Sequence, residues 1–262
     1  MIHLKERLAN SKVTIGSWVS LAHPSIPEIM AKAGFEWLVI DMEHSVIDLS
    51  QTQQLIQSIG ASDMVPLVRV GENDPMLIKR VMDAGSCGVI VPMVNTKKDA
   101  LKAVSAVKYP PAGTRGVGLA RAQGYGLEFD AYRNWLDKES VVVAQIEHIE
   151  AIDNLDDILD VDGIDATMIG PYDLSGSLSR PGDFKSKEYR KAIDRYEDVC
   201  ARHKKPMGCH VVQPDSDAAL QYISKGYSFL AVGVDMLYMG KKCIEVTSGI
   251  KSRMRQVKGK TR

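Results

Sequence analysis

Eight times along this chain, a short run of β-branched and other apolar residues gives way to a turn and then to an amphipathic stretch. The strand candidates are Val13–Leu21, Trp37–Asp41, Val65–Val70, Gly88–Pro92, Val141–Ile146, Ala166–Ile169, Pro206–His210 and Phe229–Val232. They are short and rich in Val and Ile, the composition of strands buried on both faces. Apolar residues at helical spacing predict helices over Ser25–Ala33, Leu49–Ser58, Pro75–Asp83, Thr96–Val107, Glu150–Leu159, Ser186–Lys204 and Ser216–Lys225. Ser50, Asp74 before Pro75, and Asp215 before Ser216 read as helix N-caps. Alternation of this kind makes the strands parallel, since each helix carries the chain back to the same end of the sheet. Eight units in 262 residues fit an α/β fold of the (β/α)8 TIM-barrel type. A doubly wound sheet would want a glycine-rich turn after its first strand, where this chain has SLAHPS. The glycines of GTRGVG (Gly113, Gly116, Gly118) are spaced differently from a dinucleotide fingerprint and follow no strand; they read as a loop.

No Pro/Gly/Ser-rich spacer divides the sequence, so residues 1–262 read as a single barrel domain with an extra C-terminal helical segment after Asp235. The 33 Lys+Arg balance 33 Asp+Glu, which gives no overall attraction to nucleic acid or to an anionic membrane. The basic end, KSRMRQVKGKTR, reads as a solvated helix end. The N-terminus lacks the apolar core of a signal peptide, and the longest apolar stretches, such as Gly88–Val94, fall far short of a membrane span. A cytoplasmic protein is expected. Cys87, Cys200, Cys209 and Cys243 have no short spacing and so suggest neither a thiolate zinc site nor a redox pair. The connection from Tyr109 to Ser140 is expected to be a long loop, and such loops are often functional.

Catalytic groups of such barrels sit at the C-terminal ends of the strands. There this chain places Asp41, Glu43 and His44 after strand two, Arg69 on strand three, Gln145 and Glu147 on strand five, Asp173 after strand six and His210 on strand seven. Polar groups at the end of one apolar run after another are hard to explain as core. Glu147 and Asp173, on adjacent strands, can approach one point, and two carboxylates side by side call for a cation. Oxygen ligands select Mg, Mn or a similar divalent ion and leave positions open for substrate. Alternatively, Glu147 pairs with a basic side chain and Asp173 caps the helix starting at LSGS. Arg69 must find an anion, either one of these carboxylates or an oxyanion on a substrate. His44, three residues after Asp41, is a candidate base oriented by a carboxylate, or a structural histidine.

The motifs IDMEH, VRV, YPPAGTRGVG, AQIE and IGPYDLS, in this order from about Thr14 to about Gly240, resemble the HpcH/HpaI family of class II pyruvate aldolases. The resemblance implies a metal-dependent carbon–carbon lyase that reversibly cleaves a 4-hydroxy-2-oxo acid into pyruvate, or a close 2-oxo acid, and an aldehyde. It also implies a divalent ion (Mg, Mn or Co, with Zn as a further option) and a homo-oligomer, usually a hexamer with a helix exchanged between subunits. By resemblance, Glu147 and Asp173 are the metal ligands, and Gln145 is a substrate or water contact. Arg69 faces the keto oxygen, His44 with Asp41 is the base dyad, and Asp83 lies near a neighbouring subunit's site. Backbone around Gly170, Pro171, Tyr172 and Asp173 would hold the substrate carboxylate. Tyr172 and His148 depart from the family's usual small residues, which bears on substrate choice. An acyl-CoA lyase of the citrate lyase β or malyl-CoA lyase type and a non-catalytic oxo-acid-binding barrel are the rival readings. For the CoA enzyme, only Arg115 and Arg121 in the Tyr109–Gly126 loop offer cations for phosphates.

Overall fold

The computed structural model describes residues 2–260, with side chains for residues 2–255. Eight parallel strands close into a barrel in sequence order, β8 pairing back onto β1. They are β1 (Thr14–Val19), β2 (Trp37–Asp41), β3 (Val65–Arg69), β4 (Gly88–Val91), β5 (Val141–Ile146), β6 (Ala166–Ile169), β7 (Met207–Val211) and β8 (Phe229–Val234). Each lies where the Val/Ile runs placed it, within about two residues at either end, and β2 and β5 are buried along their whole length. The helices are α1 (Leu4–Ala9), α2 (Ser25–Ala31), α3 (Leu49–Ala61), α4 (Pro75–Asp83), α5 (Lys97–Val107), α6 (Phe129–Glu139), α7 (Ile149–Asp153), α8 (Leu155–Leu159), α9 (Pro171–Ser177), α10 (Lys187–Arg202), α11 (Ser216–Ser224) and α12 (Asp235–Lys260). The last two residues of the basic end lie outside the described residues, and residues 251–260 continue α12. Among the described residues, no helix is long and apolar enough to cross a membrane.

The core has two parts. One fills the space between the strands and the surrounding helices; the other lies inside the barrel and includes Trp37, Phe229, Leu4 and Leu8. Trp37 and Phe229 begin their strands and stack at 4.2 Å, so this packing closes the N-terminal end. A Cβ on Gly16 would stand 2.1 Å from the Trp37 ring, which leaves room for glycine alone. The opposite end stays open.

Three expectations are corrected. The Tyr109–Ser140 connection is not a bare loop, because it contains a 3₁₀ turn (Arg121–Gly126) and α6. Tyr132 and Leu136 of α6 are buried; their helical spacing is masked in sequence by the glycines just upstream. The cap of α3 is Asp48 rather than Ser50: its carboxylate accepts the Gln51 N–H at 2.8 Å while Gln51 bonds back to the Asp48 N–H at 3.0 Å. Residues 149–159 form two short helices broken at Asn154.

Candidate active site

Asp41 and Arg69 end β2 and β3 and are in register across the sheet. This adjacency lets the guanidinium bind Asp41 with two parallel hydrogen bonds, Nε to Oδ1 at 2.9 Å and Nη2 to Oδ2 at 2.8 Å. Its Nη1 reaches Glu43 Oε2 at 2.9 Å, and the Trp18 ring of β1 lies 4.4 Å beneath the guanidinium carbon. Asp41 Oδ1 also accepts the backbone N–H groups of Glu43 at 3.1 Å and His44 at 3.2 Å. One carboxylate thus fixes both the arginine and the turn after β2. The partners of Arg69 are therefore Asp41 and Glu43, not Glu147 or Asp173, and N–H donors remain free on both terminal nitrogens.

The expected pairing of the Asp41 and His44 side chains is not formed. The forked geometry of a guanidinium matches a carboxylate better than a single imidazole N–H can. The His44 ring is 68% exposed, and its nearest carboxylate is Glu43, at 4.0 Å.

Glu147 follows β5 and is 3% exposed. Its Oε1 accepts the Met93 N–H at 2.8 Å, and its Oε2 accepts a close hydrogen bond from the Gln145 amide. A Cβ at position 170 would stand 2.7 Å from the Glu147 Cβ and 2.9 Å from its Oε2, so glycine there is what allows the carboxylate to sit as it does. Asp173 lies exposed in the first turn of α9. No hydrogen bond or ion pair holds its side chain among the described residues. It caps nothing, since Gly170 is the N-cap. The backbone expected to cradle a carboxylate is reduced as well. The Gly170 N–H is taken by Ile146 O at 3.0 Å and Pro171 has none, which leaves the N–H groups of Tyr172 and Asp173.

A cavity of about 360 Å³ opens at this end of the barrel, lined by Trp18, His44, Arg69, Gln145, Asp173 and His210 among others, Gly170, Pro171 and Tyr172 included. Glu147 is not on its wall, although Gln145, which donates to it, is. Asp83 is not in this cavity at all. It ends α4 on the flank, in a separate depression with Arg80 and Arg121. Burial there raises its carboxyl pKa and Arg115, 3.8 Å away, only partly offsets this.

Asp41 and Glu43 bind the Arg69 guanidinium, Glu147 lies close enough to Glu43 to act on its charge, and Asp173 lines the same cavity as Arg69. Burial raises the Glu43 pKa; Arg69 opposes the rise and the nearby Glu147 adds to it. Among the described residues no three His, Cys, Asp or Glu side chains are gathered to hold a metal. Glu147 and Asp173, neither of them ion-paired, are the two oxygen donors that a hard divalent cation could use. Sequence reasoning gave no role to Glu43, Trp18 or His210. The available signals were position alone: Glu43 stands two residues beyond Asp41, and Trp18 and His210 sit near the ends of β1 and β7.

A parallel barrel whose strand ends open on one small cavity, lined by Arg69, Asp173, His44 and His210, has the architecture of a (β/α)8-barrel enzyme. Residues 14–243 match the HpcH/HpaI aldolase/citrate lyase family. The 5-keto-4-deoxy-D-glucarate aldolase of Shigella dysenteriae serotype 1 is 36% identical over 233 residues, covering 88% of this chain and 90% of its own. Among solved structures, a HpcH/HpaI aldolase/citrate lyase family protein from Burkholderia cenocepacia superposes with a TM-score of 0.89 at 30% identity, covering 95% of this chain and 98% of its own. The HpcH/HpaI aldolase of Desulfitobacterium hafniense superposes with a TM-score of 0.86 at 26% identity, covering 95% and 96%. This chain belongs to the HpcH/HpaI aldolase/citrate lyase family, and it is a carbon–carbon lyase.

Proposed function

We propose that the reaction is metal-dependent and splits a 4-hydroxy-2-oxo acid into pyruvate, or a close 2-oxo acid, and an aldehyde at the cavity of Arg69 and Asp173. The observation that carries this reading is a rigidly held Arg69 facing the same cavity as Asp173, with neither Asp173 nor Glu147 ion-paired. Glu147 and Asp173 hold a divalent ion of the Mg, Mn or Co type, with Zn as a further option. When bound, such an ion supplies Lewis-acid polarisation to the carboxylate and keto oxygens of the 2-oxo acid.

The chain's own residues do the rest. Asp41 and Glu43 fix Arg69, whose free N–H donors stabilise the negative charge that develops on the keto oxygen. His44 takes the proton of the C4 hydroxyl. That oxygen becomes the aldehyde carbonyl, the C3–C4 bond breaks, and its electron pair leaves pyruvate as the enolate. A proton then added at C3 completes the cycle. Among the described residues no lysine lines the cavity, so a Schiff base has no carrier there.

The CoA-ester reading is less well supported. Arg115 is 2% exposed and stacked over Tyr109, and Arg121 donates to Ala84 O at 2.9 Å on the flank; neither lines the cavity. The cytoplasm is the proposed compartment, in keeping with four free cysteines. A homo-oligomer, most commonly a hexamer in this family, is the proposed assembly.

The test is exchange of the pyruvate methyl protons for deuterium in the presence of Mg²⁺ or Mn²⁺. Exchange should occur, stop on chelation and return when the ion is restored. A protein that exchanges at full rate after exhaustive metal removal, or never exchanges, would contradict the reading.

A further inference from the structure

The cavity wall also carries His210, the last residue but one of β7, which lies against Trp18 with ring centroids 5.1 Å apart. Trp18 in turn carries Arg69 on its face, so the three form one packed stack. The His210 ring is fixed by more than packing. Its Nε2 lies 2.9 Å from the carbonyl oxygen of Gly233 on β8. A carbonyl oxygen only accepts, so Nε2 must be the protonated nitrogen. In a neutral ring, Nδ1 is then an acceptor, and it has no hydrogen-bond partner among the described residues. Burial, with Arg69 nearby, lowers the His210 pKa to about 4, which keeps the ring neutral at ordinary pH.

We infer that His210 is a specificity residue whose Nδ1 accepts a hydrogen bond from a hydroxyl group of the substrate, so that the site favours a hydroxylated substrate over its plain counterpart. This deepens the aldolase reading and rests on it. The chemistry of the wall selects the group. A fixed, neutral acceptor can be satisfied by an O–H or N–H donor but not by a carboxylate, which has only lone pairs to set against that of Nδ1. A methyl group in the same place would leave Nδ1 without a partner, the kind of loss that discriminates strongly between analogues. The hydroxyl can belong to the aldehyde half or to the 2-oxo acid half.

The experiment compares wild type, His210→Leu and His210→Asn in two arms. The first measures kcat/KM for glycolaldehyde and for acetaldehyde, each with pyruvate. The second measures hydroxypyruvate and pyruvate, each with acetaldehyde. In one arm, the hydroxylated-to-plain ratio should fall about tenfold in His210→Leu, and that arm identifies the half that carries the hydroxyl. His210→Asn places an amide oxygen close to where Nδ1 stands and should keep most of the preference, which mere filling of space by the ring would not explain. If neither ratio moves by more than about twofold in His210→Leu, the inference fails and His210 is a packing residue. Pyruvate proton exchange, read in the same preparations, separates this from failure of the aldolase reading. A wild type with no exchange and no product from any pair ends both.

Discussion

At the scale of single residues, the structure changes what Asp41 is expected to do. Its carboxylate binds Arg69 twice and meets His44 only through the backbone. Oxaloacetate separates the two roles, because its decarboxylation yields the pyruvate enolate with no hydroxyl proton to remove. His44→Ala should cut aldol cleavage by ~10²–10⁴-fold, as for a lost general base, and leave decarboxylation within roughly a few-fold. Arg69→Ala should depress both reactions by about 10²–10³-fold, since both develop charge on the same oxygen. Asp41→Asn should follow Arg69→Ala and depress both, whereas an orienter of His44 alone would spare decarboxylation. Both activities of all three variants, measured at saturating metal, decide it. The residues that define this cluster were readable because the sequence puts them at the ends of apolar runs. Which carboxylate holds which cation was not readable, since it depends on the β2–β3 register that brings Asp41 opposite Arg69.

Among the elements, the strands were legible almost to their ends because each is a short buried run with a single reading. The helices were less so. α6 lies in a stretch whose glycines and prolines look like loop, and α9 is hidden because its first residues are also the IGPYDLS motif. The turn between β6 and α9 shows how closely element and site are linked. Gly170 has φ −103°, an ordinary value for any residue, so glycine is required there for space rather than for backbone freedom. Gly170→Ala would drive a methyl group into Glu147, 2.7 Å from its Cβ. The carboxylate must then move, and divalent-ion affinity should fall by about an order of magnitude, the scale seen when a ligand's support is disturbed. Overpacking should cost about 1–3 kcal/mol of stability. Calorimetric titration with Mn²⁺ and thermal unfolding of the metal-free protein measure the two separately. Unchanged metal affinity would remove Glu147 from the ligand set.

The whole molecule has one element that a lone barrel cannot account for. α12 begins well anchored, with Asp235 Oδ2 accepting the Ser20 N–H at 2.9 Å and the Leu21 N–H at 2.8 Å. It then leaves the barrel, and residues 241–255 are all exposed. Met236, Met239, Cys243, Val246, Ile250 and Met254 recur along it every three or four residues, which puts them on one face. A helix with an apolar stripe gains most of its stability from packing that stripe against something, and the barrel of its own chain does not supply it. A second copy of the chain is the partner that the family's oligomers lead us to propose. Asp83 poses the same question from the other side, because it sits on the flank, remote from the cavity of its own barrel. Sedimentation should therefore find wild type as an oligomer at micromolar concentration, most simply a hexamer. Val246→Glu combined with Ile250→Glu should yield smaller species whose barrel still folds, since both side chains are exposed and lie beyond the anchored start of α12. If Asp83 completes a neighbour's site, the dissociated double variant and Asp83→Asn should both lose aldol activity, and mixing the two proteins should not restore it. A wild-type monomer with full activity would leave α12 unexplained and return Asp83 to a purely structural role.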